Sequence, residues 1–77
     1  MGAHPAVAAT EVLVFSTSLT QPAQIRPLRP GLAAFGRWNF DLQDCDHVLR
    51  VETSAGNAVR IVALLAAHGF HCAELPD

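Results

Sequence analysis

Seventy-seven residues with a formal charge of −2 leave room for one small domain and no more. The composition, 51% hydrophobic and 16% charged, argues against disorder, although a chain of this size buries only roughly 60% of its unfolded surface. The basic residues are the scattered arginines Arg26, Arg29, Arg37, Arg50 and Arg60, which form no phosphate-neutralising stripe and so exclude nucleic acid as a natural partner, and no apolar run reaches the ~18 residues of a membrane span.

Residues 1–10 are expected to be a flexible N-terminal tail ahead of a single domain over 11–77. The stretch that starts the tail, Met-Gly-Ala-His-Pro-Ala-Val-Ala-Ala, lacks the positive start and apolar stretch of a signal peptide, and the Ser/Thr of a myristoylation signal. Cys45 and Cys72 lie too far apart to suggest a disulfide framework, so a reducing cytoplasm is the expected location.

The first element, residues 11–17 (Glu-Val-Leu-Val-Phe-Ser-Thr), is rich in β-branched and aromatic residues and reads as a strand. Thr20 then offers an N-cap, Pro22 a first turn, and Ile25, Leu28, Leu32 and Phe35 one helical face that stops at Gly36. Pro27 and Pro30 conflict with that helix, each costing ~3 kcal/mol in an ordinary helix interior, so a kink or a later start is expected. Trp38, Phe40 and Leu42 alternate with polar residues as a half-buried strand, and residues 47–52 form the next one. Pairing Leu42 with Leu49 and Phe40 with Val51 puts all four on one face and centres the turn on Cys45 and Asp46.

Ser54 can cap a second helix over about residues 55–68, in which Ala58, Ile61, Val62 and Leu65 recur at helical spacing and Gly69 is the terminator. Residues 70–75 close the chain as a short strand. The fold expected is α+β: a ferredoxin-like βαββαβ sandwich, its four-stranded antiparallel sheet in the order 4-1-3-2 with both helices on one face. The core should contain Leu13 or Val14, Phe15, Ile25, Leu28, Leu32, Trp38, Phe40, Leu42, Leu49, Val51, Ile61, Val62 and Leu65.

The segment Ile61-Val-Ala-Leu-Leu-Ala-Ala-His-Gly-Phe-His-Cys-Ala-Glu-Leu75 resembles the last helix and strand of heavy-metal-associated, copper-chaperone-like domains. With Leu19 at the place of that family's loop-opening methionine, Ile25, Leu28 and Leu32 match its first-helix apolar positions. The resemblance then puts the two metal-binding cysteines at positions held here by Gln21 and Gln24, so it implies a degenerate member lacking the CxxC motif. Amides are poor ligands for Cu(I), and copper transfer through that loop is not implied. Residues 38–46 also resemble small bacterial relatives without the cysteine pair.

The expected topology gathers Thr17, Ser18, Asp44, Cys45, Asp46, His47, His68 and His71 at one end. Cys45 with His47, His68 and His71 is the candidate metal set, for Zn, Cu or Ni, although turn formation and solvation also account for each of these residues. Cys72 reads as a buried hydrophobe and Cys45 as an accessible thiol. With no phosphate loop, nucleophile elbow or paired carboxylates, no enzyme and no bound cofactor are expected. The reading adopted is a non-catalytic domain that binds a protein partner or forms a homodimer. Transition-metal binding and small-molecule sensing at a dimer interface are the alternatives.

Overall fold

A computed structural model describes residues 10–76. The expected tail and its His4 lie outside them, except that Thr10 already belongs to the first strand. The strands are β1 (Thr10–Thr17), β2 (Arg37–Asp41), β3 (Val48–Ser54) and β4 (Cys72–Glu74). The helices are α1 (Arg29–Ala33), preceded by 3-10 turns at Pro22–Gln24 and Arg26–Leu28, and α2 (Ala58–Ala67). One antiparallel four-stranded sheet runs β2-β3-β1-β4, which is the expected 4-1-3-2 order read from its other edge.

Alternation sorts the sheet into two faces, because residues directly opposite across a ladder point to the same side. Leu13 opposes Val51, which opposes Trp38, and Phe15 opposes Leu49, which opposes Phe40. These residues meet Leu28, Leu32, Ile61 and Leu65 from the helical segments in one core, so both helices cover this face. Each fully buried Leu, Ile, Val or Phe contributes about 1.5–3 kcal/mol. Trp38 and Phe40 pack edge to face on the same side at 6.0 Å and 74°, as the alternation requires. Leu19, fully buried just after β1, was not in the expected core; Ile25, Trp38, Phe40, Leu42 and Val62 pack only partly buried against it.

The prolines split the first helix. Pro22, Pro27 and Pro30 each occupy the first or second position of a separate short piece, where a missing N–H costs nothing. The helix expected near residues 21–35, with a kink or a later start, is therefore divided into three short pieces. Thr20 is not the cap; Gln21 is, and the Gln24 side chain reaches back over the turn. The second helix is also shorter than expected. Gly56 sits at φ 89° and Asn57, not Ser54, is the N-cap; its amide donates to Thr53 Oγ1 at 2.9 Å and Ser54 Oγ at 3.1 Å. At the other end Gly69 (φ 87°) ends α2 as foreseen, with Phe70 N–H donating to Leu65 O and Gly69 N–H to Ala66 O.

The β2–β3 hairpin corrects the expected register by two residues. Phe40 pairs with Leu49 and Asp41 with Val48, so residues 42–47 form the loop. The side chain of Asp41 causes this: its Oδ1 accepts from Gln43 N–H at 3.2 Å and Asp44 N–H at 3.3 Å, turning the chain out of the ladder before Leu42 can pair. Gly36, leading into β2, has φ 142°, and a Cβ there would collide with the Glu52 carbonyl oxygen.

Candidate functional site

Three loops meet at one end of the sheet, as the topology predicts. Thr17 N–H donates to Asp46 O at 3.1 Å, Ser18 N–H to His71 O at 3.2 Å, and His71 N–H to Ser18 Oγ at 2.9 Å. The buried Thr17 hydroxyl donates to His47 O at 2.6 Å and accepts from Leu19 N–H at 3.2 Å. It ties the loop after β1 to the hairpin loop.

Proximity of these loops does not bring the candidate metal set together. His47 is not a strand residue facing the helices; it has φ 49°, its N–H donates to Asp44 O, and its Nδ1 lies 3.2 Å from Leu42 O. His68 is the exposed C-cap of α2 and His71 is exposed before β4. Among the described residues, the group of three ligand atoms within 4.8 Å of one another is Asp44, Cys45 and Asp46, all exposed, and none of the three histidines belongs to it. Asp44 Oδ1 is already used by Asp46 N–H at 2.9 Å. Cys72, buried as expected, has its thiol pushed up to about 12 by desolvation, so it stays protonated and unsuited to metal ligation.

Gln24 has a definite local role. Its Oε1 accepts from Thr20 N–H at 2.7 Å and from Gln21 N–H at 3.0 Å, satisfying two orphan donors at the start of the first helical turn. Where the resemblance would place a thiolate, this chain has a helix cap.

The opposite face of the sheet carries the second feature. Residues out of phase with the core form three rows across the strands: Arg37–Glu52–Val12, Asn39–Arg50–Val14, and Asp41–Val48 with Ser16–Ala73. Val12 is 53% exposed on this face, and its neighbour Val14 is partly buried. Arg37, Asn39, Arg50 and Glu52 of this face, together with Gly36 and with Ala33 and Trp38 from the helix side, line an open groove of about 470 Å³ on the β2–β3 half of the molecule. Alternation with Phe40 and with Leu49 and Val51 is enough to put Asp41 and Arg50 on this face, but the row structure needs the β1–β3 register, which no local pattern encodes.

No family model, curated protein or solved structure matches the chain. Among the described residues, no helix is long and apolar enough to cross a membrane.

Proposed function

We propose that this chain is a non-catalytic protein-interaction domain on a ferredoxin-like, heavy-metal-associated-type scaffold, working through the open face of its sheet in the cytoplasm. The observation that carries the reading is the outer face itself. Both helices pack on the other side, leaving Val12 exposed beside a groove lined by Arg37, Arg50 and Glu52. A face that sets an exposed aliphatic side chain beside charges of both signs suits a protein surface better than a nucleic acid or a lipid. The use of Gln24 as a helix cap supports the degenerate reading of the metal loop, and the free state of Cys45 and Cys72 supports a reducing location.

The test is site-specific photocrosslinking in cells, with the probe at Val14 on the open face or at Val59, which is 80% exposed on α2. The reading expects discrete protein adducts from position 14 and none from position 59. Equal or absent adducts at the two positions would refute it.

A second reading, transition-metal binding, is favoured by the Cys45 thiol lying between the Asp44 and Asp46 carboxylates. It expects Zn(II) to shift the amides of residues 44–46 and Cys45→Ser to weaken binding at least ~10-fold. Unmoved amides would end it.

A further inference from the structure

We infer that the partner of the open sheet face is a second copy of this chain, joined face to face about a two-fold axis that runs across the strands between the row Arg37–Glu52–Val12 and the row Asn39–Arg50–Val14. The inference rests on the interaction reading above and names its partner. It follows from the ladder register, which fixes what a two-fold would bring together.

Rotation about such an axis lays each strand over its own counterpart running the other way. Successive rows on one face are roughly 6.7 Å apart, so the axis position decides which row meets which. An axis between the first two rows sets Glu52 of each copy opposite Arg50 of the other, and Val12 opposite Val14, each contact made twice. Arg37 meets Asn39, with no like charge opposed.

Neighbouring positions fail. An axis through the first row stacks Glu52 on Glu52 and Arg37 on Arg37, and one through the second row stacks Arg50 on Arg50. An axis between the second and third rows sets each Arg50 against Val48, which is buried and offers no acceptor side chain. The face is therefore self-complementary in one of these registers and repulsive or mismatched in its neighbours, and like-charge juxtaposition is an effective means of excluding wrong pairings. The groove that Arg37, Asn39, Arg50 and Glu52 share with Ala33, Gly36 and Trp38 gives the partner's side chains space to enter on the β2–β3 side. Strand spacing and rise limit the contact to roughly 300–400 Å² per copy, about half of a standard interface, so the dimer is a weak and reversible one.

The test is sedimentation equilibrium on the purified chain, with R50E, E52R, their equimolar mixture and the double variant R50E/E52R. Both positions are exposed, and far-UV circular dichroism checks that each variant is folded. Wild type should dimerise at high micromolar concentration, and each single variant should dimerise at least ~10-fold more weakly. The mixture should form a heterodimer, because one member then supplies only acidic and the other only basic partners. The double variant should regain wild-type association.

A wild type that stays monomeric at millimolar concentration, or a dimer indifferent to all three variants, would overturn the pairing. Open-face adducts to a different protein in the crosslinking experiment would then leave the interaction reading standing without it. Absence of adducts at Val14 would remove both.

Discussion

Replacing Thr17 by Val removes one oxygen from the junction of the two loops and keeps the shape of the side chain. The Thr17 hydroxyl donates to His47 O at 2.6 Å and accepts from Leu19 N–H at 3.2 Å, and Thr17 is only 6% exposed. Each hydrogen bond contributes about 1 kcal/mol net, and the Leu19 N–H, left buried without an acceptor, adds a desolvation cost of its own. The sum is about 2–3 kcal/mol, or about 10–20 °C in melting temperature for a domain of this size. Thermal and urea unfolding followed by circular dichroism measure it, with Thr20→Ala as a control. Thr20 is exposed, and its hydroxyl makes only a 3.4 Å contact with Gln24 Oε1. The loss should fall on Thr17→Val alone. A Thr17→Val protein within about 0.5 kcal/mol of wild type would show that the hydroxyl does not hold the loops together.

Three further outcomes follow from the same geometry. Gly36→Ala combines a φ of 142° with a collision against the Glu52 carbonyl, so it should cost at least about 2 kcal/mol and weaken protection of the β2–β3 amides in hydrogen exchange. Gln24→Ala leaves the N–H groups of Thr20 and Gln21 without their acceptor and should cost about 1 kcal/mol in urea unfolding, with no recovery on adding metal. Burial raises the Cys72 thiol from 9.0 to about 12, so the folded state favours the neutral thiol. Its contribution is intact below pH 9.0 and is lost as the pH climbs toward about 12. Between those limits wild type should lose up to about 1.4 kcal/mol per pH unit relative to Cys72→Ala, read from urea titrations at neutral and alkaline pH.

Much of the architecture is legible in the pattern of side chains. Trp38 and Phe40, Leu49 and Val51, and Leu13 and Phe15 each share a face because a strand alternates, and that phase survives in the structure. The hairpin register was not legible, because it depends on the Asp41 carboxylate capturing two N–H groups and on His47 entering the left-handed region. Neither leaves a periodic trace. The prolines announced a broken first helix but not its division into three pieces. For the site, topology alone placed Thr17, Asp46, His47 and His71 at one end. Convergence of ligand atoms is a finer matter: the His47 ring lies beside Leu42 O, so a cluster of suitable residue types at one end did not become a four-ligand set. The rows on the open face emerged only once long-range pairing was known.

The measurement closest to the central claim is a dilution series of ¹H–¹⁵N spectra on the purified chain. The account predicts concentration-dependent shifts at Val12, Val14, Arg50 and Glu52, with Val59 and the rest of α2 unmoved. Shifts confined to α2 or to residues 44–47, or none at any concentration, would contradict it.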